Sequence, residues 1–320
     1  MGVKGNLFST TFAVNLVIRY FIQMLAQKAL VVGKVGAMVK VKEFVRLMKF
    51  RLSSLVVFSA GITYLTAAPN INWYTLLYLV IGGILVTGAS NGFNQIIEQD
   101  TDKLMARTAN RPLPTGTLTT FEGLLFCSVI GAVGIAILWL QVNMLSAFLG
   151  ALAIVLYALV YTPMKKRSPA AVFVGAIPGA LPTMIGWVAA SGEITLGAWT
   201  MFAIQFLWQF PHFWAIAWVL DDDYKKAGFK MLPSAGGRSE HSAMQMLVYA
   251  LFLVPMGMLP YLFKISGIVS GIIAVVCALL FAWQAYKLLK TPEVKTAKRL
   301  MFASIIYLPV VQLAYMFDKI

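Results

Sequence analysis

Asn94, Glu98 and Asp102 stand four residues apart, so on a helix they fall at i, i+4 and i+8 and line one face. An amide and two carboxylates so placed offer hard oxygen ligands. Mg²⁺ takes few carboxylates and fills its shell with water and phosphate oxygens. Without a cation or a base beside them, the two acids would repel one another. Lys103, Arg107 and Arg111 follow closely and can bind phosphate oxygens directly. A second acidic run, Asp221, Asp222 and Asp223, precedes Lys225, Lys226 and Lys230. One run alone reads better as a solvated helix end whose acids and bases pair across a loop. Two runs, both flanked by bases, favour a diphosphate site.

The elements that must position these residues are membrane helices. The chain has 320 residues, 60% of them hydrophobic and 12% charged, about half the charged share of a soluble protein. Its apolar runs are long enough to span a bilayer, and only helices satisfy their own backbone there. Nine spans are expected, near 50–68, 75–97, 119–140, 144–162, 170–190, 197–220, 243–263, 267–289 and 299–317. The fold class is an all-α, polytopic membrane bundle. Residues 43–320 form the transmembrane domain, and residues 1–42 an N-terminal extension that reads as an interfacial helix, an extra span, a leader or a dispensable segment.

Charge sets the orientation. Lysine and arginine crowd the segment before the first span and every second loop after it, whereas the opposite loops and the C-terminus carry only Lys264 and Lys319. By the positive-inside rule the charged face is cytoplasmic. The net charge of +14 is therefore a topology signal, and nucleic acid is not an expected partner. Both acidic runs and Lys165-Lys166-Arg167 fall on that face. The acidic runs are four helices apart, which hints at two related halves. Cys127 and Cys277 sit in apolar runs and read as small buried hydrophobes, not as a disulfide or a zinc site.

His212 lies within the expected sixth span, in Trp208-Gln209-Phe210-Pro211-His212-Phe213-Trp214. A titratable ring at membrane depth is costly and faces a cavity or a partner in the bundle. Pro211 is expected to break the helix beside it. The surrounding aromatic side chains suit a flat or isoprenoid ligand, and would equally suit plain packing.

Three stretches carry a family resemblance. They are Asn94-Gln-Ile-Ile-Glu98-Gln-Asp100-Thr-Asp102 with Arg107-Thr108-Ala-Asn-Arg111-Pro112, then Tyr161-Thr162-Pro-Met-Lys165-Lys166-Arg167, then Trp208-Gln209-Phe-Pro211-His212-Phe213 leading to Asp223-Tyr224 and Met231-Leu232-Pro233. From about residue 43 to the end the chain resembles the protohaem IX farnesyltransferases, the haem O synthase branch of the UbiA superfamily of intramembrane prenyltransferases. The resemblance implies transfer of a farnesyl group from farnesyl diphosphate to a vinyl group of haem b, with water added, giving haem O. It implies Mg²⁺ held by Asn94, Glu98, Asp102 and Asp223, and a diphosphate neutralised by Arg107, Arg111 and Lys165. It also implies a haem contact at His212, and a haem A synthase or terminal oxidase assembly machinery as downstream partner. A bacterial inner membrane is the expected location, with a mitochondrial one as the alternative. Two departures stand out. Glu98 occupies a position where many superfamily members have Asp, and Val219 stands where a second acid would precede Asp223 by four residues. Competing readings are a prenyltransferase acting on a quinone precursor and, from another class, a transporter. A transporter would place its charges nearer the bilayer midplane.

Overall fold

Lipid offers the backbone no hydrogen-bond partner, and the described part of the chain answers with a series of helices. The computed structural model describes residues 37–234 and 236–320; the readings made for residues 1–36 lie outside the described residues. The helices are α1 (Ala37–Leu47), α2 (Phe50–Ala67), α3 (Trp73–Asp102), α4 (Thr120–Gln141), α5 (Met144–Val155), α6 (Ala171–Ser191), α7 (Leu196–Val219), α8 (Asp221–Lys226), α9 (Glu240–Leu262), α10 (Ile268–Lys290) and α11 (Val294–Phe317). A π-helical turn, Leu156–Tyr161, and a last α-turn, Thr162–Met164, prolong α5. The short helix α1 runs across position 42/43.

Local chemistry sets where the helices begin and end. Asn72 caps α3 by accepting from the amides of Tyr74 and Thr75. Thr119 and Glu122 close a reciprocal capping box on α4, which satisfies two otherwise orphaned donors. Asn143 and Ser239 cap α5 and α9. Gly192, at φ 79°, ends α6 in the left-handed conformation that suits glycine.

Among the described residues, eight helices are long and apolar enough to cross a membrane. The exception among the nine long ones is α7, whose 24 residues suffice in length. Gln205, Gln209 and His212 lower its hydropathy, yet it packs in the centre of the bundle against α6, α9 and α11. Leu55, Phe148, Leu280 and Ile306 project outward with about 60% or more of their surface exposed, a girdle that only lipid covers without cost. Inside, one core gathers Phe210, Trp218, Phe281 and Tyr315, and another gathers Tyr64, Leu79, Leu138 and Leu181.

Two expectations are corrected and one is met. The second long helix continues past its expected span to Asp102, as the alignment of Asn94, Glu98 and Asp102 on one face requires. At 30 residues it is about 45 Å long, beyond the ~30 Å hydrocarbon thickness, so its last turns project past the apolar layer. The last helix starts at Val294 instead of 299, which puts Lys295, Lys298 and Arg299 on its opening turns, where long side chains reach water while their stems stay on the helix. Pro211 does not break α7. It only removes the donor that would meet the carbonyl of Leu207, a loss that neighbouring helices tolerate.

The ends of the bundle are tied by contacts that sort the loops into two sets. At one end Lys319 Nζ donates to the carbonyls of Leu65 and Ala68, and Gly267 N donates to Asp318 O. At the other, Arg46 donates to Asn110 O, Lys40 pairs with Glu122 at 2.7 Å, and Lys230 N donates to Lys165 O.

Candidate functional site

The extended α3 carries the ladder intact. Asn94, Glu98 and Asp102 are all buried, while Asp100, two residues from the last rung, points away and pairs with the exposed Lys103 at 2.9 Å. Helical periodicity thus separates the site acids from the solvated one.

Each rung has a partner. Asn94 Nδ2 donates to Thr162 Oγ1 at 3.0 Å, which leaves its Oδ1 as the atom an amide can offer to a cation. Lys165 Nζ lies 2.9 Å from Glu98 Oε1, and Arg111 donates to Asp102 Oδ2 at 2.6 Å. Glu98 Oε1 nonetheless lacks an aligned hydrogen bond, and Asp102 Oδ1 has no partner at all among the described residues. A buried carboxylate oxygen left bare is costly, and a hard divalent cation is the group that would satisfy it. Among the described residues no three His, Cys, Asp or Glu side chains converge. Such a cation would therefore take only a few protein oxygens and complete its shell elsewhere, as Mg²⁺ does with a phosphate ligand.

Lys165 is positioned by the π turn. Thr162 Oγ1 donates to the carbonyl of Tyr157, five residues back, and the wider turn brings both Thr162 and Lys165 toward α3. The ammonium lies 4.7 Å from the centre of the Tyr161 ring and 5.6 Å from that of Phe229. Gly175 makes room for Tyr161, because a Cβ there would sit 2.6 Å from the ring. Burial alone would lower the Lys165 pKa, but the Glu98 carboxylate outweighs it and holds the ammonium above its ordinary value.

Lys49 completes the cluster and has no place in the motif reading. It stands at the elbow between α1 and α2, in the left-handed region at φ 48°, a conformation uncommon for a residue with a Cβ. Burial, then the charges of Arg111 and Lys165, bring its pKa from 10.5 to about 7; Glu98 opposes this and Arg107 adds to it. Its charge in the sequence reads as topology, and no spacing rule links it to a motif some 45 residues on. Arg107 is exposed and makes no ion pair among the described residues. Lys49, Arg111 and Lys165 thus stand with two acids, and Arg107 is near enough for its charge to act on Lys49, so the surplus is positive.

The second acidic run is built differently. Asp221 is the buried member, 2.7 Å from Lys225 and 3.9 Å from Arg238. Asp222 is exposed and meets Arg238 at 3.1 Å. Asp223 is half-buried and pairs with Lys226 at 3.2 Å. Among the described residues Asp223 does not converge with Glu98 and Asp102 into a set of three. The segment after the run does reach the ladder, since Phe229 and the backbone of Lys230 both pack on Lys165. His212 is half-buried on α7, its ring stacked on Trp208 at 4.5 Å and its Nδ1 2.7 Å from Ser304 Oγ of α11.

Residues 54–306 match the UbiA prenyltransferase family. The chain is 49% identical over 278 residues to a protoheme IX farnesyltransferase of Cytophaga hutchinsonii, covering 87% of this chain and 97% of that one. It is 44% identical over 282 residues to a protein of the same name from Christiangramia forsetii, covering 87% and 93%. In fold it is similar to digeranylgeranylglyceryl phosphate synthase, with a TM-score of 0.73 at 21% identity over 87% of this chain and 98% of that one. It is also similar to a UbiA homolog of Archaeoglobus fulgidus bound to GPP and Mg²⁺, with a TM-score of 0.65 at 16% identity over 86% and 99%.

Proposed function

The chain belongs to the UbiA prenyltransferase family, and from that premise we propose that it transfers a farnesyl group from farnesyl diphosphate to a vinyl group of haem b, with addition of water, to form haem O. The observation that carries the prenyl-transfer half is the buried ladder of Asn94, Glu98 and Asp102 set among Lys49, Arg107, Arg111 and Lys165. The choice of acceptor is supported by relatives of that name at 34–49% identity over nearly their whole length.

Asn94, Glu98 and Asp102 would hold Mg²⁺, with Asp223 or the more buried Asp221 added from the second run; when bound, the ion offsets the negative charge of the diphosphate. The chain's own bases do the rest of the electrostatic work. As the C–O bond of the allylic diphosphate breaks, negative charge accumulates on the leaving oxygens, and fixed cations aimed there lower the barrier. Lys165 and Arg111 enter that role already desolvated and oriented by the acids they pair with. The allylic cation left behind needs walls that exclude water until the vinyl carbon attacks. Aromatic faces such as Tyr161 and Phe229, beside the cluster, also stabilise positive charge. His212 contacts the haem, from a position about 10 Å along α7 from that helix's end at Val219, at 1.5 Å per residue.

The charged loops lie on the cytoplasmic side of a bacterial plasma membrane, and haem O passes to a haem A synthase or a terminal oxidase. The test is direct. Purified protein is incubated with haem b, farnesyl diphosphate and Mg²⁺, and the pigment analysed by mass spectrometry. A hydroxyethylfarnesyl adduct is expected. Its absence, with turnover of a quinone precursor instead, would overturn the acceptor while leaving prenyl transfer in place.

A further inference from the structure

Two side chains one turn apart on α7 converge on a single residue of α11. Trp208 Nε1 donates to the carbonyl of Ser304 at 2.9 Å, and the ring of His212 meets the hydroxyl of the same serine at 2.7 Å. Ser304 is fully buried, whereas His212 is only half-buried. The imidazole is further fixed by its stack on Trp208, at 16° between planes. One edge of the ring is thus clamped into the bundle.

The direction of that clamp follows from counting protons. A serine hydroxyl has one proton to donate and lone pairs to accept. Ser304 Oγ gives its proton to the carbonyl of Met301 at 2.5 Å, and a carbonyl can only accept. The contact with His212 must then run the other way, with Nδ1–H donating to Ser304 Oγ. No carboxylate is paired with His212 among the described residues, so a ring in this apolar setting stays neutral. A neutral imidazole protonated on Nδ1 has a bare lone pair on Nε2. Nε2 makes no hydrogen bond among the described residues.

We infer that Ser304 is a positioning residue that locks His212 as the Nδ1–H tautomer and thereby presents the Nε2 lone pair to the iron of the haem substrate. This rests on the reading of His212 as the haem contact. It goes beyond it by naming the atom, the protonation state and the residue that sets both. The logic is that of a metal-bound histidine whose second nitrogen is oriented by an outer partner, a device that fixes the tautomer and strengthens the ligand.

The chain has only two histidines, His212 and His241, which makes the tautomer measurable. His241 lies on the first turn of α9 and contacts Gln245, so His241→Gln leaves the site alone and one imidazole to observe. Full-length protein carrying H241Q and ¹⁵N-labelled histidine is studied in detergent, first without haem and then with haem b. The expected result is a neutral ring with protonated Nδ1 and bare Nε2. Ser304→Ala should shift it to a mixture or to Nε2–H, and Ser304→Thr, which keeps a hydroxyl, should restore it even if the alanine variant folds poorly. Haem b should then perturb Nε2 selectively, and Ser304→Ala should weaken haem binding about 10-fold or more. A ring protonated on Nε2 in the parent, or one whose tautomer ignores both substitutions at 304, overturns the role of Ser304 while the haem contact still stands. A locked Nδ1–H ring that haem leaves unperturbed, in protein that still makes haem O, overturns the iron contact itself while farnesyl transfer stands.

Discussion

At the scale of single residues the site is a set of charges that are costly to bury alone. Asp102 is wholly buried, with one oxygen on Arg111 and the other bare. Asp102→Asn keeps the shape but removes the charge that Arg111 pairs with and that a bound Mg²⁺ would use. Turnover should fall by about 10²–10³-fold or more, the scale set by losing one aimed electrostatic group. Membrane insertion and the yield of folded protein should be unchanged, and wild-type activity in the variant would remove the metal ladder from the mechanism. Lys49 gives a second prediction, with a sign. Its folded pKa of about 7 lies below the unfolded 10.5, so between those values the folded chain binds fewer protons and its stability rises with pH. A bound anion reverses the preference by favouring the charged lysine. Affinity for pyrophosphate should therefore weaken by up to about tenfold per unit as pH rises above 7. Lys49→Arg, which keeps its charge, should remove that part of the pH dependence, and Lys49→Met should bind weakly throughout. Calorimetric titration of the three proteins from pH 6 to 9 separates the lysine from the titration of pyrophosphate itself.

At the scale of elements, legibility depended on whether the signal was local. The ladder could be read because Asn94, Glu98 and Asp102 share one helix, and 3.6-residue periodicity is visible in one dimension. The capping residues and the glycine that ends α6 are local in the same way. The π turn was not legible: Leu156–Tyr161 has no distinguishing composition, and the placement of Thr162 and Lys165 beside α3 shows only in three dimensions. Nor was the role of Lys49, which depends on an elbow bringing α1 and α2 beside a loop far along the chain. In the second run, sequence pattern pointed to Asp223, whereas burial singles out Asp221, because the short helix α8 turns its first residue inward. Close helix approach was equally hidden. A Cβ on Gly186 of α6 would lie 2.0 Å from the carbonyl oxygen of Ala60 on α2, so backbone meets backbone and no side chain can move aside. Gly186→Ala should force the two helices apart and destabilise the bundle by about 1–3 kcal/mol. Thermal unfolding in detergent measures this, and an unchanged midpoint would mean that the crossing is looser than the contact implies.

At the scale of the whole molecule, the class of fold followed from composition, while charge set an expected side for each loop, and the ends of the bundle bear on that expectation. Lys319 donates to the carbonyls that close α2, which sets the C-terminus beside the loop after the first span. That is the arrangement an odd number of spans requires. It makes α7 the deciding element, since α7 has the length of a span while its glutamines and histidine dilute its hydropathy. If α7 crosses the membrane, the loops at 192–195 and 236–239 lie on opposite sides; if it does not, they share one. Both native cysteines lie in apolar helices, so serine at 127 and 277 gives a background free of thiols. Single cysteines at Ser191 and Ser239 then test the point with an impermeant thiol reagent applied to intact cells. We expect Ser191→Cys to be labelled from outside and Ser239→Cys only after the cells are opened. Labelling of both from outside would return α7 to a buried hairpin element. It would also move the second acidic run to the face opposite the ladder, where no single diphosphate could touch both.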